Sequence, residues 1–317
     1  MTKRERVIAA FKGRETDHVP VCFWKHVPPE QWEDEDFIKA QVDFYRETDV
    51  DFMKLSADKF FGWPHPVLQN LQSSEELYKM TPLGADHPHI RGPIERTKKL
   101  IKELNGECCA LYVVFCPLSY MRLEIGYDKM MEVIRQDPEA VKFACKAIGE
   151  DVKALIKGLI QEAGCDGVMY SVQNAEVDRF TYDEYREWVT PSDKDVLEYA
   201  NSISDMNAIH FCGWEGVPNR LEVWEDYKAP VVSWARFVEK LDVKEAKKQF
   251  GCTVWGGFDN RLGTLLYDGT KEEIQAETRR LIAEGTKTGY MIGPDCSIHD
   301  ELPLERIKWV IEAARSI

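Results

Sequence analysis

Short runs rich in β-branched and aromatic residues alternate along this chain with longer stretches whose apolar residues recur every three or four positions. The first pattern suits strands and the second amphipathic helices. Eight runs of the first kind stand out, at 19–24 (VPVCFW), 51–56 (DFMKLS), 108–116 (CCALYVVFC), 166–173 (DGVMYSVQ), 207–212 (NAIHFC), 230–235 (PVVSWA), 253–258 (TVWGGF) and 290–293 (YMIG). A clear helix pattern between them, PEAVKFACKAIGEDVKALIKGLIQEAG, ends at Gly164. Strand and helix repeating in this way predict an α/β fold with a parallel sheet, and eight repeats predict a TIM (β/α)8 barrel. The rival, an open doubly wound sheet, would carry a phosphate-binding turn of the GxGxxG or GxxxxGK[ST] type after a strand, and none is present.

The reading is one domain over residues 1–317, with a helix at 4–12 packed outside the barrel. No linker, repeat or low-complexity tract divides the chain. The stretches FGWPHPVLQN and TPLGADHPHIRGP, after the second run, read as long loops placed to cap the barrel mouth.

Composition narrows the function classes. With 44% hydrophobic and 11% aromatic residues the 317-residue chain can bury a sizeable core. A net charge of -14 without a basic run excludes a nucleic-acid footprint and favours a small-molecule or protein partner. No apolar stretch is long enough to span a membrane, and the charged start MTKRERVIAAFKGRE is unlike a signal peptide, so a cytoplasmic protein is expected. Nine cysteines, an odd count, fit reduced thiols better than a disulfide framework. Cys22, Cys108, Cys109, Cys145, Cys165 and Cys252 lie in or beside apolar runs, where cysteine packs as a small hydrophobe.

The chemistry concentrates in IHFCGW and YMIGPDCS. Side chains at i and i+2 of a strand share a face, so His210 and Cys212 can reach one point at a strand end. Cys296 follows the last strand, and all strand C-termini of a barrel open onto one mouth. One imidazole and two thiolates suit zinc, with a fourth position left for substrate. The same residues read equally as a satisfied core histidine and two buried thiols.

Taken in order, TKRERVIAAFKGRETDHVPV, DVDFMKLSAD, VFCPLSYMRLE, FTYDEYREWVTP, IHFCG, FDNRLGTLLYDGTKEEIQAETRRLI, GPDCSI and LPLERIKWVIEAAR resemble the uroporphyrinogen decarboxylase superfamily across nearly the whole chain. Within it the HxC and later Cys resemble the branch of zinc-dependent, corrinoid-linked methyltransferases. That resemblance implies zinc on His210, Cys212 and Cys296. It also implies methyl transfer between a small substrate (methoxyaromatic, methylamine, methanol or thiol) and a corrinoid (cobalamin) carried by a partner protein, since no DxHxxG-type anchor lies in this chain. The true decarboxylases carry an arginine-bearing RQAGRY-like segment, where this chain reads FWKHVPPEQW. With Lys25 alone in place of that clamp, metal-free decarboxylation is the alternative reading. Related cobalamin-independent methionine synthases add a glutamate zinc ligand where this chain has Ser233 and Trp234.

Polar residues at the predicted strand ends are candidates for the reaction (Asp58, Asn174 and Glu176) and for substrate contact (His26, Gln173, Asp259 and Asn260), the last two being equally suited to cap helices. His26, Asp58 and Glu176 are also open to the fourth metal position. Trp24, Phe60, Phe61, Trp63, Trp214 and Trp234 are candidates for an aromatic wall, of which Trp214 and Trp234 are taken as substrate contacts. A homodimer is compatible with all of this.

Overall fold

The computed structural model describes the whole chain, Met1 to Ile317. Seven strands form one curled sheet: β1 (Phe52–Leu55), β2 (Cys109–Phe115), β3 (Gly167–Val172), β4 (Ala208–Phe211), β5 (Val231–Trp234), β6 (Thr253–Phe258) and β7 (Tyr290–Pro294). They pair in chain order and every pair is parallel, the TIM-barrel-like arrangement that the alternating pattern predicts.

The sequence predicts eight strands, and the run at 19–24 is the exception. It is extended but makes only single bridges, Val21 to Ile292 and Lys25 to Ile298. Ile292 N donates to Pro20 O and Cys22 N to Ile292 O on the β7 side, while Asp51 N donates to Val21 O beside β1. Two features stop a ladder from forming. Pro20 has no N–H to donate, and the N–H of Val21 goes to the Asp51 carboxylate at 2.8 Å instead of to a backbone carbonyl. Arg6 holds that carboxylate from below at 2.7 Å, in a pair buried on both sides.

The two faces of the sheet sort by parity. Met53, Leu55, Tyr112, Val114, Val168, Tyr170, Ile209, Val232 and Trp234 join the large core shared with the surrounding helices. Phe52, Cys109, Leu111, Met169, Ala208, Val231, Trp255 and Met291 form a separate interior cluster, and Val7, Ala10 and Phe11 close it. The last three belong to helix Lys3–Phe11, which starts at a Thr2/Glu5 capping box. The helix predicted outside the barrel therefore lies across the N-terminal opening of the sheet. Full burial of side chains of this size contributes roughly 1.5–3 kcal/mol each, which seals that end as packed core.

The stretch read as loops after β1 contains helix. Helix Pro66–Gln69 lies in the first part, and helix Pro88–Leu104 takes over the HPHIRGP sequence. Pro88 sits in the first turn, where its missing N–H costs nothing, and buried Pro93 is carried inside the helix. All nine cysteines are free. No helix is long and apolar enough to cross a membrane.

Candidate metal centre and its cavity

Going up the sheet interior toward the strand C-termini, the apolar layer gives way to polar side chains. In register, Ser171 of β3 stands beside His210 of β4, and His210 beside Ser233 of β5. Cys212 follows β4 and still donates its N–H to Val172 O. Cys296 follows β7 two residues after Pro294, as the shared mouth of parallel strands predicts.

His210, Cys212 and Cys296 each present a donor atom within 4.8 Å of the others. The two sulfurs are 3.9 Å apart. Thiolates about 2.3 Å from one tetrahedral ion stand about 3.8 Å from each other, so the pair is already spaced for zinc. His210 Nδ1 bonds Ser233 Oγ at 3.0 Å, and its Nε2 is buried with no partner. An orphaned imidazole nitrogen beside two thiols fits a metal better than a packed core does. The thiols titrate as a unit. The Cys212 thiol, hydrogen-bonded to Cys296, favours a Cys296 thiolate, with the nearby imidazole assisting against burial. That first negative charge and burial then hold the Cys212 proton in place.

These donors face a cavity of about 290 Å³ that is also lined by Trp24, His26, Lys54, Phe61, Phe115, Arg122, Gln173 and Trp214. Of the sequence candidates, His26, Gln173 and Trp214 reach it directly, as do Trp24 and Phe61 from the aromatic set. His26 Nδ1 is 2.8 Å from Asp58 Oδ1, and Gln173 Oε1 accepts from Arg122 Nη2 at 2.7 Å. Trp214 stacks on Tyr127 at 5.8 Å.

The three residues assigned to the reaction stand behind this wall. Burial opposes charge on Asp58, but hydrogen bonds from His26 and the Val27 N–H take its pKa below the usual value. Asn174, at φ 69°, donates to Ser119 Oγ. Glu176 accepts from Tyr127 at 2.8 Å, and burial raises its pKa. Asp259 is engaged with the backbone and guanidinium of Arg261, capping no helix, and Asn260 donates to Ser297 O. Trp234 lies on the outer face of β5, fully buried, with its N–H on Leu241 O. Phe60 and Trp63 pack against Arg96, His89 and Tyr120 away from the cavity.

Two cations in the cavity wall are missing from the sequence candidates. Lys54 shares the inward parity of Phe52 on β1 and is 7% exposed, and burial lowers the pKa of its ammonium group. A lysine in the middle of an apolar strand is itself a signal, because such residues are almost never buried without a purpose. Arg122 comes from helix Pro117–Ile125, where nothing in the local pattern marks it. Its guanidinium lies 5.0 and 4.9 Å from the ring centres of Tyr127 and Trp214.

The fold resembles that of a methyltransferase from Methanosarcina mazei, at TM-score 0.75 and 17% identity, covering 100% of this chain and 98% of that one. A putative vitamin-B12-independent methionine synthase from Listeria monocytogenes aligns at TM-score 0.55 and 13% identity, covering 89% and 86%. A glycoside hydrolase family 5 enzyme from Prevotella bryantii aligns at TM-score 0.51 and 10% identity, covering 100% and 98%. Identities this low speak for the fold alone. No curated protein matches the chain in sequence. The uroporphyrinogen decarboxylase (URO-D) family matches over residues 62–317, most of the chain and all seven strands but β1, and the chain belongs to that family.

Proposed function

We propose that this protein is a zinc-dependent methyltransferase that moves a methyl group between a small substrate and a corrinoid carried by a separate protein. The observation that carries the reading is the convergence of His210, Cys212 and Cys296 donors within 4.8 Å on a small cavity at the strand C-termini. The methyltransferase from Methanosarcina mazei and the methionine synthase from Listeria, both aligned along most of this chain, support it. When bound, zinc would supply Lewis acidity, holding a thiol as thiolate or polarising an ether oxygen. The chain itself does the rest. Ser233 fixes the ring of His210 through Nδ1 and leaves Nε2 as the donor. Trp24, Phe61 and Phe115 exclude water from the inner wall, and His26, more than half exposed, stands at the rim.

The decarboxylase alternative gains something from Lys54 and Arg122, which are cations of the kind a carboxylate needs. The volume weighs against it. A cavity of about 290 Å³ falls at the lower limit of small-ligand pockets, roughly 300–1,000 Å³, and suits one small molecule better than a macrocycle bearing eight carboxylates.

The test begins with metal analysis of the purified protein and of its Cys212→Ser and Cys296→Ser variants, where zinc should be stoichiometric and then lost. The zinc protein is next mixed with reduced corrinoid and methoxyaromatics, methylamines or methanol, and in reverse with methylated corrinoid and thiols or tetrahydrofolate, reading the visible absorption of cobalt. Uroporphyrinogen losing carboxylates while no methyl group moves would hand the site to the decarboxylase.

A further inference from the structure

We infer that the small substrate is an anion, an organic acid with an apolar body whose acid group sits between Lys54 and Arg122. The inference rests on the reading above for the identity of the site and adds the chemical class of its ligand.

The chain holds 55 acidic residues against 41 basic ones, yet the cavity wall contains Lys54 and Arg122 and not one aspartate or glutamate. Both cations are 7% exposed, and neither is in an ion pair. Lys54 Nζ meets the Trp24 ring at 5.9 Å and has no hydrogen-bonding partner in the protein. Arg122 spends one nitrogen on Gln173, and its Nε is buried with no partner. Buried cations are normally matched by an anion, because taking a charge out of water without one is costly. Asp58, behind the wall, is the first negative charge that Lys54 feels, but its oxygens are taken by His26 and the Val27 N–H, and two thiolates on one zinc ion would make a neutral set, so Arg122 is left without an anion.

A carboxylate entering the cavity supplies the missing charge and can accept a hydrogen bond from the guanidinium. The apolar remainder of the ligand meets Trp24, Phe61, Phe115 and Trp214. The same wall repels methylamines and quaternary amines, which would add a third positive charge. Of the substrate classes that the resemblance implies, methylamines are excluded, and methoxyaromatics or thiols that carry an acid group are favoured.

Binding is measured by calorimetry for two acid and ester pairs, 4-methoxybenzoate with its methyl ester and 3-methoxypropionate with its methyl ester, and for 4-methoxybenzylamine. Each titration is run on zinc-replete protein and on protein stripped by a chelator. The acids are expected to bind at least ~10-fold more tightly than their esters, as one unmatched charge pair predicts, and the amine not at all. The preference should survive chelation and shrink in Arg122→Met and in Lys54→Met, with Arg122→Lys recovering part of it. Esters equal to acids, tighter binding of the amine, no binding of either acid, or a preference that vanishes with the metal would each overturn the inference. The wild-type comparison needs no variant to fold. Absence of methyl transfer would sink the methyltransferase reading without altering the acid-to-ester ratio, and a ratio of one with transfer intact would sink only the anion.

Discussion

Ser233 is the side chain that turns His210 from a buried imidazole into an oriented donor. Removing its hydroxyl leaves the ring free to rotate and deprives Nδ1 of its partner, and losses of this kind weaken metal affinity about 10-fold or more. Ser233→Ala is therefore expected to raise the zinc dissociation constant by at least ~10-fold in a competition titration with a chromophoric chelator, while Cys212→Ser abolishes binding. Unchanged affinity in Ser233→Ala would show that the serine only fills space. The three donors were legible in the sequence because strand parity and the shared mouth of parallel strands are local rules. Ser233 was legible only as the absence of a carboxylate. Arg122 was not legible at all, since a helix residue enters a cavity through tertiary packing that no periodicity records, and Trp234 went the other way because the parity that turns Ser233 inward turns its neighbour outward.

At the scale of elements, the seven ladder strands match predicted runs to within a residue or two at each end, and β6 matches at both. The run at 19–24 matched a strand in hydropathy and formed none, because hydrogen bonding, invisible to hydropathy, decided it. Pro20 withholds a donor and Asp51 takes another. The Asp51 carboxylate binds Arg6 at 2.7 Å and Val21 N at 2.8 Å with no exposure to solvent, so one side chain ties the N-terminal helix, the extended segment and β1 together. Asp51→Ala leaves the buried guanidinium with only Asp17 and the Met1 carbonyl for company, and an N–H with nothing. Breaking a buried pair of this sort costs about 3 kcal/mol, and the expected outcome is a lower urea midpoint with the slope unchanged. A shift of only a few tenths of a kcal/mol would mean that the segment is held by packing instead.

For the molecule as a whole, two charge effects are expected. Behind β3, burial raises the carboxyl of Asp193 to about 7, although Tyr227 and Tyr185 donate hydrogen bonds to it. Its pKa in the unfolded chain is about 3.9. Folding therefore takes up a proton between these values, and stability falls as pH rises from about 4 through 7. Glu239, raised by burial to about 7, acts in the same direction. Urea melts at pH 6 should show the protein more stable than at pH 8, by about 1 kcal/mol from Asp193 alone, and Asp193→Asn should remove that part of the slope. A wild type whose stability rises between pH 6 and 8 would contradict the assignment. The net charge of -14 bears on encounter with the proposed corrinoid protein. Docking by complementary charge is screened by salt, so the transfer rate should fall as sodium chloride is raised, and a salt-independent rate would indicate apolar docking.

The sheet cannot draw its two edges together until nearly all of it has been made, because Val21 must wait for Ile292. Pairings this distant along a chain form slowly, and until they do, the unpaired margins of β1 and β7 are open to other chains. The metal donors need only part of this assembly. His210 and Cys212 emerge together, and Cys296 arrives 84 positions after Cys212, beyond the last strand. In a refolding chain the three donors meet once β4 to β7 stand in one sheet. Tight zinc uptake would then be a clock for the second half of the sheet alone, and the closing of its edges by the segment at 19–24 would need a separate one.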